Sequence, residues 1–265
     1  MRQPFQLPAI YWGGFLLLVS LAIPGHAEPP AAPVKKPNLE QLAKLPASEL
    51  TKIIENSYSP DKRFAVGVGS VDGSKPKWEN LGEDEKGFFV WGDDSDPGNY
   101  LIDVKADRIT GVLDASHIGT GPRYNHESAA FVWSEDGRWL TEVQSWKWHT
   151  AVCTVHRVTA EGMLGGRFDF RAWAEKIALE QLHKQAPKLP EAKRKEYAVT
   201  IETPTLANDG TVTAKIIAQH PKDEVSEFVT LSVVVKLEGI QLGSLSAKVI
   251  KAEPIKEEAA ERSSE

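Results

Sequence analysis

Cysteine is almost absent from this chain, and the single one, Cys153, excludes an intramolecular disulfide. Small exported domains often depend on disulfides, so stability must come here from the size of the hydrophobic core. A free cysteine is more often buried than reactive, and we expect Cys153 to be buried. His156 follows three positions later, and on a strand the two side chains would point to opposite faces. We therefore predict no zinc site at this pair.

A hydrophobic run long enough to cross a membrane is also lacking near the start of the chain. The apolar stretch 15–23 is shorter than the roughly 20 residues that a spanning helix needs. It follows Arg2 and ends at Pro24, and the small-x-small pattern Gly25-His26-Ala27 comes next. This order is typical of a secretory signal peptide, which we predict at 1–27. The mature protein is then secreted or periplasmic, with no membrane span after signal cleavage.

An excess of positive charge is missing as well. Lysine and arginine number 31 against 37 aspartates and glutamates, which gives a net charge of −6. Such a balance does not attract polyanions, so we predict no nucleic-acid partner. Hydrophobic residues make up 41% of the chain, and this proportion is sufficient for a substantial core.

Composition divides the chain into five segments. We predict a signal peptide at 1–27, a proline-rich linker at 28–37, a β-rich meander region with N-terminal helices at 38–168, a helix with antiparallel strands at 169–252, and a flexible charged tail at 253–265.

The fold class follows from changes in the period of the hydrophobic pattern. Two-residue alternation with frequent turn residues predicts an antiparallel meander sheet over about 57–158. Apolar residues at helical spacing then predict one amphipathic helix over about 170–186. Alternation resumes and predicts a second antiparallel sheet over about 196–251. We therefore expect an α+β fold that is mostly β.

One short pattern occurs twice. Ser59-Pro60-Asp61-Lys62-Arg63-Phe64 and Ser134-Glu135-Asp136-Gly137-Arg138-Trp139 both read Ser-x-Asp-x-Arg followed by an aromatic residue. The aspartate favours a tight turn, and the aromatic residue restarts a buried strand. Segments 59–66 and 134–141 resemble the strand-turn-strand signature of β-propeller blades in the TolB and dipeptidyl-peptidase amino-terminal families. The resemblance implies an alternative fold, a small or incomplete β-propeller.

The densest polar stretch is the loop 114–128. Loops on a rigid sheet are where catalytic and binding residues concentrate. Its catalytic candidates are His117 or His126 as a base or ligand, with Glu127 or Asp114 as the partner. The chain contains neither a Gly-x-Ser-x-Gly elbow nor a His-Glu-x-x-His motif. The alternative interpretation is structural, with these side chains bonding to backbone groups of a long loop.

A turn rich in carboxylates is a weak candidate for calcium. Asp93, Asp94 and Asp96 lie close together in sequence, and calcium prefers such hard oxygen ligands. Pro97 interrupts the spacing of known calcium loops, so a solvated acidic turn is the simpler interpretation. We predict no other cofactor.

Tryptophans are concentrated in the middle of the chain. The segment Trp146–Val158 is rich in β-prone residues and predicts a strand on which Trp146 and Trp148 share a face. Flat rings on a sheet can stack on sugars, so these two residues and Tyr124 are candidate ligand-binding residues. The alternative is that the tryptophans fill a β core.

These patterns favour a non-catalytic role. We predict an exported binding or structural module whose ligand is a glycan or an envelope protein. The alternative is a secreted or periplasmic hydrolase that uses the polar loop 114–128.

Overall fold

Antiparallel strands dominate the structure, a computed structural model that describes residues 37–80, 82–83, 89–91, 95–118, 127–194, 196–220, 228–239 and 243–255. The predicted α+β, mostly β class is confirmed. The predicted signal peptide 1–27 lies outside the described residues, as do most of the linker and tail. Within the described ranges, every helix is too short or too polar to cross a membrane.

The elements follow one another as a run of short helices and strands. The α-helices are α1 (Leu39–Leu42), α2 (Ala47–Leu50), α3 (Phe170–Gln185) and α4 (Glu191–Arg194), and a 3₁₀ turn occupies Trp78–Asn80. The strands are β1 (Lys52–Ile53), β2 (Phe64–Ser70), β3 (Gly82–Glu83), β4 (Phe89–Val90), β5 (Pro97–Asp103), β6 (Arg108–Val112), β7 (Ser128–Trp133), β8 (Trp139–Ser145), β9 (Thr150–Val158), β10 (Leu164–Asp169), β11 (Ala198–Ile201), β12 (Thr205–Leu206), β13 (Thr211–Gln219), β14 (Phe228–Glu238), β15 (Gly243–Ser244) and β16 (Ser246–Pro254).

The meander region forms two larger sheets and a two-stranded one, β3-β4. The first sheet has the order β1-β2-β5-β6, and the second has the order β15-β10-β9-β8-β7, in which only β15 pairs in parallel. They pack face to face through a hydrophobic cluster that includes Leu101 and Leu113 from one side and Leu140 and Val158 from the other. After β6 the bonds to β5 continue as far as Ala115, while the N–H groups of residues 114 and 115 bond to a side chain of β8 and link the two sheets.

A third sheet, with the order β11-β13-β14-β16, completes the fold, and β12 pairs on β13. Helix α3 contacts both this sheet and β9 of the second sheet. Its four most buried residues recur every fourth position and are Phe170, Ala174, Ala178 and Leu182. The small alanines let the sheets approach the helix closely. The start of α3 is capped by Asp169, whose side chain accepts a hydrogen bond from the N–H of Ala172 at 2.9 Å. The helix predicted over 170–186 is confirmed.

The two faces of β9 serve different neighbours. Cys153 is 1% exposed and belongs to the core that contains α3 and the third sheet. Burial raises the pKa of its thiol, so the thiol is neutral and chemically quiet at neutral pH. His156 points to the opposite face and contacts Glu142. The expected burial of Cys153 and the separation of these two side chains are both confirmed.

Candidate functional site

The polar loop 114–128 is described only at its two ends, 114–118 and 127–128. Of the candidate residues in it, Tyr124 and His126 lie outside the described residues. The remaining three candidates enter two neighbouring clusters, both at the interface of the first and second sheets.

Asp114 belongs to a cluster that is centred on Glu142, a fully buried residue of β8. The side chain of Glu142 accepts hydrogen bonds from the N–H groups of Asp114 at 3.0 Å and Ala115 at 2.7 Å. Its other oxygen lies 2.6 Å from Nε2 of His156. Arg167 donates to Oδ2 of Asp114 through both Nε and Nη2, each at 2.7 Å.

The three side chains of the cluster lie close enough together to hold a cation, but their negative charge is already partly neutralised. One ligand atom each from Asp114, Glu142 and His156 lies within 4.8 Å of the other two. However, the oxygens of Glu142 already accept two backbone N–H groups, and the Arg167 guanidinium neutralises Asp114. A cation would have to compete with that guanidinium. We interpret the cluster as a clamp that fastens the segment after β6 onto the second sheet.

His156 fits this structural role. Its Nδ1 is buried and has no hydrogen-bond partner among the described residues. A proton on Nδ1 would therefore be left unpaired, and the tautomer with its hydrogen on Nε2 fits the contact with Glu142.

The second cluster brings together His117 and Glu127. Asn99 holds His117 by two backbone bonds, since its Oδ1 accepts from the histidine N–H and its Nδ2 donates to the carbonyl, both at 2.8 Å. Glu127 accepts from Nε2 of Gln144 at 2.7 Å, and its Oε1 lies 3.5 Å from Nδ1 of His117. Most of these bonds hold loop backbone, as the structural interpretation of the loop expects.

The acidic turn proposed for calcium is only partly described. Asp93 and Asp94 lie outside the described residues. Asp96 is exposed, and its backbone carbonyl accepts a hydrogen bond from the N–H of Val71 at 2.7 Å. The calcium site therefore stays a prediction.

The two candidate tryptophans of the sheet lie in a turn. Strand β8 ends at Ser145 and β9 begins at Thr150, so residues 146–149 form the hairpin connection, which we name the tryptophan turn. The N–H of Trp146 donates to the carbonyl of His149 at 2.8 Å and closes it. The prediction that Trp146 and Trp148 share the face of one strand was therefore wrong.

Both indole rings of the tryptophan turn are partly open to solvent. Trp146 is 44% exposed and Trp148 is 46% exposed. Nζ of Lys147 lies 4.6 Å from the ring centroid of Trp148. The imidazole of His149 lies 5.5 Å from the Trp146 ring, and burial, followed by the Arg171 charge, lowers the pKa of this histidine. Each indole thus has a neighbouring side chain of the same turn against it.

Sequence reasoning missed a cleft at the other end of the second sheet. Its volume is about 490 Å³. Its charged lining residues are Asp61, Arg63, Asp136, Arg138 and Arg157. The available signal was the repeated pattern, because four of these five residues occupy its aspartate and arginine positions.

The two copies of the repeated pattern form the same turn. In the first copy the hydroxyl of Ser59 donates to Asp61 at 2.6 Å and accepts from the N–H of Phe64 at 2.9 Å. In the second copy Ser134 donates to Asp136 at 2.7 Å and accepts from the N–H of Trp139 at 3.0 Å. We name the two segments 59–64 and 134–139 the serine turns. Their shared geometry does not test the family resemblance, which stays a prediction.

No protein-family model matches the chain, and no curated protein matches it significantly.

Proposed function

We propose that this chain is an exported, non-catalytic binding module that contacts a glycan through the tryptophan turn. The observation that carries the proposal is the exposure of two neighbouring indoles, 44% and 46%, at one hairpin tip. Tryptophan is highly buried on average, so two partly open rings in one short turn require a reason. Stacking on the apolar face of a sugar supplies one, because an indole presents a flat apolar surface and a single N–H donor.

The turn is held firmly enough to present these rings. The hydroxyl of Thr200 donates to the carbonyl of Trp148 at 3.3 Å. At the base of the turn, Nε of Arg171 donates to the carbonyl of Thr150 at 3.0 Å. These two bonds tie the turn to β11 and α3, so little conformational entropy is lost when a ligand binds.

The signal-like segment 1–27 supports the exported location, where glycans of the cell envelope are accessible. The acidic net charge supports a neutral partner over a polyanionic one.

Binding of the full chain to a panel of soluble envelope and plant glycans, measured by calorimetry, tests the proposal. We expect W146A/W148A to abolish the binding that the wild type shows. Phe228→Ala is the matched control, because Phe228 is also aromatic and 49% exposed but lies on β14. We expect this control to bind as the wild type does. Since all three side chains are partly exposed, the melting temperatures should change little.

Two results would contradict the proposal. The first is unchanged glycan affinity in W146A/W148A. The second is the absence of glycan binding in the wild type together with tryptophan-dependent capture of an envelope protein, which would leave a protein as the ligand.

The same panel addresses the alternative of a hydrolase that uses the loop 114–128. The 3.5 Å approach of His117 and Glu127 is the observation in its favour. Release of reducing ends from a panel glycan, and its loss in His117→Ala, would support the hydrolase over the binding module.

A further inference from the structure

The cleft at the opposite end of the second sheet brings together three arginines from separate segments. Arg63 and Arg138 occupy the same position in the two serine turns, and Arg157 comes from β9. The turns are neighbours in space, since a Cβ built on Gly137 would lie 4.0 Å from Pro60 and Ser59. Two copies of one local structure thus direct one arginine each to the same cleft.

The acidic residues of the cleft are engaged within their own turns. The carboxylate of Asp61 accepts bonds from the Ser59 hydroxyl and the Arg63 N–H, which lower its pKa. Asp136 accepts the equivalent bonds from Ser134 and Arg138. These bonds hold one oxygen of each carboxylate within its own turn.

The three arginines differ in how far they are already neutralised. Arg63 lies 3.6 Å from Asp103 and is partly compensated. Arg138 is 76% exposed and approaches Asp136 only at 3.8 Å. Arg157 is exposed, and its Nη1 donates a long hydrogen bond, 3.4 Å, to the carbonyl of Gly239. Arg138 and Arg157 are therefore the two arginines with most capacity for an external anion.

The cleft is lined by apolar as well as charged residues. Phe64, Val158 and Leu245 line it, together with the backbone of Gly165. The volume of about 490 Å³ lies within the usual range of small-molecule sites. A cleft of this size that several guanidinium groups line suits a compact molecule that carries anionic groups.

We propose that this cleft is a second binding site, distinct from the tryptophan turn, for a small ligand that carries two or more oxyanion groups. Arg138 and Arg157 each bind one oxyanion, and the rest of the ligand lies in the cleft. Carboxylate and phosphate share the oxygen geometry that a guanidinium recognises, so the two sources are separated by experiment.

Calorimetric titration of the full chain with citrate and with pyrophosphate tests the site. We expect at least one of them to bind, and binding should weaken as the salt concentration rises, because the arginines are exposed. R138Q and R157Q should each weaken binding about tenfold, as expected for the loss of one charge-assisted hydrogen bond. The double variant should show no measurable binding.

Lys176→Gln is the matched control, because it removes one positive charge from the exposed side of α3, away from the cleft lining. We expect it to bind as the wild type does. Binding of citrate alone identifies a carboxylate ligand, and binding of pyrophosphate alone identifies a phosphate ligand. The proposal is overturned if the wild type binds neither probe, if R138Q/R157Q binds as well as the wild type, or if K176Q weakens binding equally.

Discussion

Glu142 is the residue on which the contact between the first two sheets depends most directly. Its carboxylate is 0% exposed and accepts backbone bonds from Asp114 and Ala115, which are 28 and 27 positions away in sequence. Glu142→Gln keeps the shape but replaces one acceptor oxygen with a donor, so one buried donor loses its partner. We expect the free energy of unfolding to fall by about 3 kcal/mol, as for other broken buried pairs. Urea denaturation followed by tryptophan fluorescence measures this change.

The control for Glu142→Gln is Glu180→Gln, the same chemical change on the exposed side of α3. A surface substitution of this kind should change stability by less than about 0.5 kcal/mol. Equal effects of the two substitutions would show that the buried carboxylate is not a clamp.

The sequence predicted the residues whose role depends only on their own strand or turn. The opposite orientation of Cys153 and His156 follows from strand alternation alone, and it is confirmed. The role of Glu142 was missed, although a glutamate within the β-prone run of β8 was a signal. Two of its partners, Asp114 and Ala115, follow β6 of the first sheet, and strand patterns do not show which faces of two sheets meet.

The serine turns are the elements whose chemistry is most directly testable. The pKa of Asp61 is below its ordinary value of 3.8, first because the Ser59 hydroxyl donates to it and second because the Arg63 N–H does. A lowered folded-state pKa stabilises the fold above the ordinary value, and this contribution is lost as the pH falls through the lowered one. Ser59→Ala should therefore raise the pKa of Asp61 and reduce this acid-sensitive part of stability. An NMR titration of the carboxyl carbon measures the change.

Ser134→Ala provides the control for Ser59→Ala, because it removes the same hydroxyl from the other serine turn. We expect it to leave the Asp61 titration unchanged. A shift of Asp61 in Ser134→Ala but not in Ser59→Ala would contradict the assignment of the cause.

The β9–β10 hairpin depends on a glycine that faces an aromatic ring. Gly162 has φ +81°, and a Cβ built on it would collide with the ring of Phe64. Gly137 has φ +68°, but the nearest atoms to its Cβ lie 4.0 Å away. Gly137→Ala should lower stability by about 1–2 kcal/mol through backbone strain alone. Gly162→Ala should lower the free energy of unfolding by about 1–3 kcal/mol more than Gly137→Ala does, because the added Cβ also overpacks against the Phe64 ring. Thermal or urea unfolding measures the stability of both variants. An equal loss of stability in the two would contradict the predicted collision with Phe64.

Elements that carry their own turn signal were predicted well. The hairpin between β7 and β8 contains Asp136-Gly137, and the structure forms it. The tryptophan turn has the sequence Trp-Lys-Trp-His, which contains no glycine, proline or asparagine, so it was assigned to a strand. Strand β10 was missed because Gly165 and Gly166 weaken its pattern. The residues of the turn itself are sufficient to predict the β7–β8 hairpin. The tryptophan turn and β10 depend on packing against neighbouring elements, which the sequence pattern does not show.

At the scale of the whole molecule, the described residues between 37 and 255 belong to one compact unit. The first and second sheets share one hydrophobic cluster, and the second sheet shares another with α3 and the third sheet. The boundary expected between 168 and 169 falls inside β10, between its last two residues. Phe168 packs against the same cluster as Phe170, so the core is continuous across that position.

This continuity predicts cooperative unfolding. Hydrogen exchange of the amides in β13, at the centre of the third sheet, should report the same opening free energy as exchange in β8 and β9. Glu142→Gln alters the interface of the first and second sheets and does not touch the third. We nevertheless expect it to lower the exchange protection of β13 by the same free energy by which it lowers that of β8.

Exchange measured by mass spectrometry at several urea concentrations tests this, because a global opening responds to urea more strongly than a local one. If 38–168 and 169–252 unfold independently, Glu142→Gln reduces protection in β8 and β9 and leaves β13 at its wild-type value. The size of the effect at β13 therefore measures how much of the stability of the third sheet depends on a carboxylate buried between the other two.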